Sequence, residues 1–368
     1  MEQTPGTGYE ASTEIITTAN PEFSRNRMHN VLRQNSEVWD LFTRGEEYTN
    51  MFRDGRDRFP YYASKNRCIF EPLTSRYLLD NGYSFEYPDN KPFALCITHD
   101  VDIIYQGIKA KSLAALSSLI AGQPKEAIDY LLQMRAKKIP FSNVKNILSL
   151  EEKYDAKSTF FLLALKPGDP DHYYAVDEIP DEIASILDSG CEIGLHGGAQ
   201  SYCSFEQVLE QKERLEKALA ENIIGYRSHH LKFIVPDTWE ILEKAGFKYD
   251  ATLGYADCAG FRNGMCHLFR PFNLKNDSDL NLVEIPLVIM DNTLDAYMKL
   301  DPEKAWKITK NLIDTVERFQ GVLSILWHNT SFIDERYELF SKIIDYCYRK
   351  NAWLTNCREL VQWYDKYL

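Results

Sequence analysis

Six charged or proton-transferring side chains that could together form a catalytic site lie at the ends of strand-like runs. They are Asp100, Asp102, His196, Arg227, His229 and His328. Carboxylates and imidazoles are ligands of divalent metals and also act as general acids and bases. Burying several such charges without partners is costly, and a shared metal ion would satisfy them. The set therefore predicts a metal site, provided that the strands bring these ends together.

The stretch Lys91–Asp102, KPFALCITHDVD, supplies the two carboxylates. Side chains alternate between the two faces of a strand, so small residues share the face that leads to Asp100 and Asp102. The bulkier face carries Phe93, Leu95, Ile97, His99 and Val101. A small face suits a crowded barrel interior, and strand rise places the two carboxylates about 7 Å apart on it. In parallel α/β proteins, catalytic groups collect at this carboxyl end of the strands.

The same alternation sorts the other strand ends. His196 shares a face with Gly194, and His229 shares a face with Arg227, so these side chains are expected to point inward. His328 ends the last clear strand, again on the inner face. His99 and His230 lie on the opposite face. They are the first substitutes as ligands only if a strand has already unwound.

Strand and helix alternate about seven times along the chain, which predicts a parallel sheet that is closed or nearly closed. Residues 91–368 are therefore expected to form an α/β barrel. Residues 1–90 form a partly helical N-terminal extension, and a helical insertion of about 103–140 follows the first strand.

Composition restricts the partners and the compartment. The formal net charge is −12, which argues against a nucleic-acid surface. No apolar run reaches the roughly 18 residues of a membrane span. The start has no basic and apolar signal pattern, so we expect a cytoplasmic protein. The eight cysteines are scattered and are expected to be reduced thiols.

The motifs also carry a family resemblance. THDVD (98–102), EIGLHGG (192–198), GYRSHHLKF (225–233), YDATLGYADCAGFRNG (249–264) and ILWHNTSF (325–332) appear in this order. The set resembles the polysaccharide deacetylases, carbohydrate esterase family four, and especially a divergent cytoplasmic branch with His-Asp-Val-Asp in its first motif. The likeness covers about residues 90–368. It implies a distorted (β/α)7 barrel, a divalent metal, often zinc, and removal of an N-acetyl group from a sugar.

Carried over by position, the resemblance implies a role for each site residue. Asp100 matches the catalytic base and His328 the general acid. Asp102 and His196 match metal ligands. Arg227 matches the arginine that holds the base, and Asp250 matches the acidic partner of that arginine.

One position departs from the family pattern. The second motif usually has two histidines four residues apart, but Gln200 stands four residues after His196. Because His229 is expected on the inner face of the next strand, we predict that it completes a metal triad with Asp102 and His196. Arg262 lies between aromatics and glycines, where it would bind substrate as part of a lid or form a structural ion pair.

These expectations describe a cytoplasmic, metal-dependent hydrolase that removes an N-acetyl group from a sugar or glycan precursor in cell-surface polysaccharide metabolism. Two alternatives stay open at this point: a non-catalytic barrel that binds sugar, for which Gln200 is the best support, and a hydrolase of a non-sugar amide. The sequence indicates neither the sugar nor the oligomeric state.

Overall fold

The computed structural model describes residues 21–104, 143–332 and 334–367, together with a few isolated helical positions between 105 and 142. The predicted insertion at about 103–140 therefore lies almost wholly outside the described residues.

The main sheet is parallel and runs in the order β8-β5-β4-β3-β2-β1-β10-β9, with β11 also paired to β1. The strands of this sheet are β1 (Ala94–Val101), β2 (Thr159–Leu163), β3 (Glu192–Gly197), β4 (Gly225–Ser228), β5 (Tyr249–Asp250), β8 (Val283–Glu284), β9 (Ile289–Met290), β10 (Val322–Leu326) and β11 (Trp353–Thr355). A separate antiparallel pair consists of β6 (Phe272–Asn273) and β7 (Ser278–Asp279).

One extended segment, residues 283–290, closes the sheet. Near its start, the Ile285 amide donates to the Asp250 carbonyl at 2.9 Å. Further along, the Val288 amide donates to the Ser324 carbonyl at 3.1 Å. The segment thus pairs with β5 at one end and with β10 at the other. Counted as one strand, and with β11 left aside because it pairs only with the first residues of β1, it gives seven strands around the barrel. This confirms the predicted (β/α)7 architecture.

Helices surround the barrel and cover the N-terminal side. Their bounds are α1 (Pro21–Leu32), α2 (Ser36–Thr43), α3 (Gly45–Thr49), α4 (Leu73–Asp80), α5 (Val144–Glu152), α6 (Pro180–Asp188), α7 (Phe205–Leu219), α8 (Asp237–Lys244), α9 (Pro302–Arg318), α10 (Asp334–Arg349) and α11 (Cys357–Tyr367). Helices α7 and α9 each begin with a side-chain cap: the Ser204 side chain accepts from the Gln207 amide at the start of α7, and Asp301 accepts from the Lys304 amide at the start of α9.

The inner face of the sheet is filled by aromatic side chains that need small neighbours. A Cβ on Gly194 would lie 2.6 Å from a ring carbon of Phe161, and a Cβ on Gly225 would lie 2.0 Å from Tyr249. These glycines therefore let the rings fill the barrel, as the small-residue pattern predicted. The outward residues of β1 join the larger core beneath the surrounding helices.

The N-terminal extension packs directly on this larger core. Met28, Leu32, Phe42 and Leu78 are buried in the same cluster as Phe93 at the start of β1. Burial of these side chains fixes the extension against the barrel, so that its loops can reach the carboxyl ends of the strands.

Across the described residues, no helix combines the length and apolar character required to cross a membrane.

Candidate active site

The first strand brings both of its carboxylates to one histidine. Asp100 Oδ2 lies 3.4 Å and Asp102 Oδ1 lies 3.3 Å from Nε2 of His196, which is at the end of β3. Asp100 and His196 are buried, whereas the Asp102 side chain keeps 21% of its surface exposed. The two strand ends therefore meet at a mouth that solvent can reach through Asp102.

His229 enters the same group from the next strand. β4 ends at Ser228, one residue earlier than the sequence suggested, and His229 opens a short turn, His229–Leu231. Its Nε2 lies 3.7 Å from Asp102 Oδ1. Ligand atoms of Asp102, His196 and His229 all lie within 4.8 Å of one another, as a metal site requires.

Buried atoms without partners show that the group fits a cation. His196 Nε2 and Asp102 Oδ1 are buried and have no hydrogen-bond partner among the described residues. His196 Nδ1 lies 3.1 Å from the Arg227 carbonyl, which can only accept a hydrogen bond. Nδ1 therefore carries the proton, and the Nε2 lone pair points toward the carboxylates. This is the tautomer that a metal-binding histidine adopts.

Neighbouring charges shift the pKa values of Asp102 and His196 in opposite directions. Although burial alone would raise it, the close approach of His196 and His229 and the charge of His328 hold the pKa of Asp102 well below its ordinary value. Burial lowers the pKa of His196, but the charges of Asp100 and Asp102 outweigh it, so the net direction is upward. Without a metal, the site thus favours a proton on His196, at the position that a divalent cation would take.

Arg227 supports Asp100 from below. Its Nη1 lies 3.8 Å from Asp100 Oδ1, its Nη2 donates to Thr98 Oγ1 at 2.9 Å, and its guanidinium lies over the ring of Phe161. The side chain is fully buried. It therefore supplies a fixed positive charge beside the carboxylate, where the resemblance placed it.

Asp250 takes a different partner from the one expected. It forms no ion pair with Arg227, and the charge of that arginine acts on Asp250 only over a longer distance. Its neighbour is Glu284, whose carboxylate accepts from Trp239 Nε1 at 2.7 Å and from the Leu253 amide at 3.1 Å. Burial raises the pKa of Asp250 to about 6, and burial together with Asp250 raises the pKa of Glu284 well above its ordinary value. The predicted Asp250–Arg227 contact is thus corrected to a carboxyl pair.

His328 lies across the mouth from Asp100 and has a partner that sequence reasoning missed. Its Nδ1 lies 2.7 Å from Asp291 Oδ1, and its Nε2 lies 3.8 Å from Asp102 Oδ2. Burial would lower the pKa of His328, but Asp291 and then Asp102 and Asp100 raise it to about 10. Asp291 directly follows β9 in LVIMDN, so applying the strand-end rule to that run would have identified it.

Arg262 is bound by protein acceptors and does not face a substrate. Its Nε and Nη2 donate to Glu47 at 3.1 and 2.6 Å, and its Nη1 donates to the Gly254 carbonyl at 2.9 Å. The residue is 2% exposed. With the whole guanidinium occupied by protein acceptors, the structure places Arg262 in the ion-pair alternative and corrects the substrate-binding expectation.

His99, Gln200 and His230, which the sequence did not place among the metal ligands, lie around the site. His99 points outward, between Glu151 Oε1 and the Trp327 carbonyl, both at 2.9 Å, as its strand face predicted. Gln200 lines a cavity of about 160 Å³ in the loop after β3. His230, the predicted substitute, lies beside His229 in a left-handed conformation.

A loop of the extension, residues 54–58, reaches this site. Arg56 Nη1 lies 3.0 Å from His230 Nδ1, and Arg58 Nη1 donates to the His230 carbonyl at 3.2 Å. Tyr202 donates a hydrogen bond to Asp57. No periodic pattern marks this loop, and its role follows only from the tertiary contacts.

Part of the chain is similar to polysaccharide deacetylases. Residues 138–249 match the family model described as polysaccharide deacetylase. The match includes His196, Arg227 and His229, whereas Asp100 and His328 lie outside it. A peptidoglycan deacetylase-like protein, FGM2, of Gibberella zeae is 35% identical over 92 residues, which cover 23% of this chain. The match spans 27% of the length of that relative.

Two solved structures show the same fold. Both carry the description polysaccharide deacetylase. The one from Mycobacterium smegmatis is 18% identical, with a TM-score of 0.52, over 76% of this chain and 92% of its own. The one from Pseudomonas aeruginosa PAO1 is 13% identical, with a TM-score of 0.52, over 83% of this chain and 96% of its own. The barrel described above thus has the same fold as these two structures.

Proposed function

We propose that this chain is a divalent-metal-dependent deacetylase that hydrolyses an N-acetyl group on a sugar or glycan precursor in cell-surface polysaccharide metabolism. The observation that carries the proposal is that Asp100 and His328 both lie beside the Asp102–His196–His229 group. A base and an acid beside a cation site are what amide hydrolysis requires. The partial family match and the shared fold support the same reaction class.

In this proposal Asp102, His196 and His229 hold the metal. Two imidazoles and one carboxylate are a ligand set typical of catalytic zinc. When bound, such an ion supplies Lewis acidity for the attack of water on the acetyl carbonyl. The usual motif has a second histidine four residues after the first, where this chain has Gln200. His229 takes the role of that histidine.

The protein residues then move the protons. Asp100, held beside Arg227, accepts a proton from the attacking water. His328 is protonated at neutral pH because its pKa is raised to about 10, so it can donate to the departing amine. Asp291 accepts from His328 Nδ1 and keeps Nε2 directed toward the mouth. The acyl carbon gains the water oxygen, and the carbon–nitrogen bond breaks as the amine leaves.

The proposed substrate class draws on a relative, and the proposed location draws on the sequence. The relative in Gibberella zeae has peptidoglycan deacetylase in its name. By analogy, we propose a glycan precursor as the substrate of this chain. The cytoplasmic location and the His-Asp-Val-Asp branch stay predictions from the sequence.

The test is metal content of the purified, tag-free protein by elemental analysis. We expect roughly one zinc or similar ion per chain, lost in His229→Ala and kept in the matched control His172→Ala. Retained metal in His229→Ala would contradict the triad. No metal after reconstitution would contradict the metal-dependent function as a whole.

Turnover is then measured as acetate release from free, nucleotide-linked and lipid-linked N-acetyl sugars. Release that requires the added metal supports the proposal. A metal-loaded protein that binds these sugars without releasing acetate would contradict the deacetylase activity and leave a sugar-binding barrel.

A further inference from the structure

His229 lies between two carboxylates, one at each ring nitrogen. Its Nε2 is 3.7 Å from Asp102 Oδ1, and its Nδ1 is 3.4 Å from Asp171 Oδ2. The Nδ1 atom is buried and has no hydrogen-bond partner among the described residues. Asp171 therefore offers this nitrogen its nearest acceptor, and a shift of a few tenths of an ångström closes a direct hydrogen bond.

Asp171 also faces the second histidine of the turn. His230 Nε2 lies 3.6 Å from the same Asp171 oxygen, and the rings of His229 and His230 stack with centroids 3.7 Å apart. The loop that holds Asp171 thus closes over both imidazoles.

Arg56 determines which nitrogen of His230 carries the proton. Its Nη1 lies 3.0 Å from His230 Nδ1, and a guanidinium can only donate. His230 Nδ1 is therefore the acceptor, so Nε2 carries the hydrogen of the neutral ring and points at Asp171. An ionised carboxylate only accepts, so Asp171 favours a second N–H at His229 Nδ1. Asp102 would favour the hydrogen at Nε2 in the same way, but its oxygen is farther from the ring, at 3.7 Å against 3.4 Å, and lies closer to His196, at 3.3 Å.

We propose that Arg56, His230 and Asp171 form a relay that fixes His229 as the Nδ1–H tautomer, with the Nε2 lone pair directed at Asp102 and His196. Asp171 is then a positioning residue for a ligand, in the way that carboxylates support metal-binding histidines. The proposal rests on the proposed function, in which His229 binds the metal. It explains how a histidine from a strand end can replace the one missing at Gln200.

The relay has one structural rival. Ligand atoms of Asp171, His229 and His230 also lie within 4.8 Å of one another, so this group could hold a cation of its own. The positive charge of Arg56 at His230 Nδ1 opposes a cation there. The geometry therefore favours the relay, and the experiment separates the two.

The first measurement is the tautomer of His229 in the metal-free protein, read from long-range ¹H–¹⁵N correlation spectra of ¹⁵N-histidine-labelled protein and assigned with His229→Gln. We expect the Nδ1–H pattern in the wild type and a shift toward Nε2–H in Asp171→Ala. Asp171→Glu should restore the wild-type pattern, and the exposed control Asp177→Ala should leave it unchanged. An Nε2–H pattern in the wild type, or no change in Asp171→Ala, would overturn the relay.

The second measurement is zinc affinity by competition with a chelator. Asp171→Ala should bind zinc about 10–100-fold more weakly, and Asp177→Ala should bind it as the wild type does. Because the tautomer is read without metal, it tests the relay even if the protein binds no zinc, in which event the proposed function fails separately. Two ions per chain, with one lost in His230→Gln, would make Asp171 and His230 ligands and overturn the relay.

Discussion

Two groups of buried charges in the molecule differ in how completely they are paired. The arginine cluster consists of Arg44, Glu46, Glu47 and Arg262 and joins the N-terminal extension to the loop that follows β5. The mouth cluster consists of Asp100, Asp102, His196, Arg227 and His229. Both groups are rich in charge, so burial of charge alone does not distinguish them.

The arginine cluster is fully satisfied. Arg44 donates to Glu47, to Glu46 and to the Arg262 carbonyl, at 2.8, 2.6 and 2.7 Å. Glu46 accepts from the Ser64 hydroxyl at 2.6 Å. Two cations face two anions, and none of their side-chain nitrogens or oxygens is a buried atom without a partner.

The mouth cluster is not satisfied. Buried polar atoms of all five of its residues have no hydrogen-bond partner among the described residues. The shortest contacts between its charged atoms are 3.3 to 3.8 Å, longer than those of the arginine cluster. Folding has left this group with capacity for a cation and a substrate, since buried polar groups otherwise find partners.

The largest expected effect comes from removing the base of the mouth cluster. Asp100→Asn keeps the shape of the side chain but cannot accept the proton of water, so acetate release should fall about 10²–10⁴-fold. Metal content should be unchanged because Asp100 is not in the triad. The exposed control Asp177→Asn should keep full activity. A loss below about tenfold would contradict the role of the base, and a loss of metal would make Asp100 a ligand.

The arginine cluster should respond in stability instead. Glu47→Gln leaves Arg44 and Arg262 with one carboxylate between them in a buried site, and breaking such a pair costs about 3–5 kcal/mol. Urea unfolding followed by tryptophan fluorescence measures the change. The exposed control Glu221→Gln should change stability by less than about 0.5 kcal/mol. An unchanged free energy of unfolding in Glu47→Gln would contradict a structural role for this cluster.

Sequence patterns predicted the features that depend on local alternation. The two carboxylates of β1, the outward His99 and the inward His229 follow from side-chain direction along a strand, and strand–helix alternation predicted the barrel. The (β/α)7 form came from the family resemblance, which the structure bears out.

Contacts between distant segments could not be read in this way. Arg262 was ambiguous because its partner, Glu47, lies 215 positions earlier in the chain. Arg56 and Asp171 lie in loops whose sequence carries no period, so only the packed extension brings Arg56 to the site. The carboxyl pair of Asp250 and Glu284 likewise depends on the register of β5 with β8. A position-by-position resemblance therefore gave Asp250 the wrong direct partner.

The carboxyl pair of Asp250 and Glu284 gives the smallest expected effect. No cationic side chain of the described residues lies between the two groups, so a bound proton keeps the pair from being doubly charged. The pKa of Asp250 is raised to about 6, above its unfolded value of about 4. The folded state therefore binds more protons between these values, and stability falls as the pH rises through this window. Asp250→Asn keeps the oxygen that accepts from Thr252 and places an amide beside Glu284.

We expect Asp250→Asn to match the wild type below about pH 4, where the carboxyl is protonated in both states. At pH 8 it should exceed the wild type by about 1–3 kcal/mol, since one pKa unit corresponds to 1.36 kcal/mol. Urea unfolding at both pH values measures this, with the exposed Asp188→Asn as control. If Asp250 instead held Arg227 directly, the variant would be less stable at pH 8 and would lose acetate release. That outcome would move Asp250 into the mouth cluster and restore the role that the resemblance gave it.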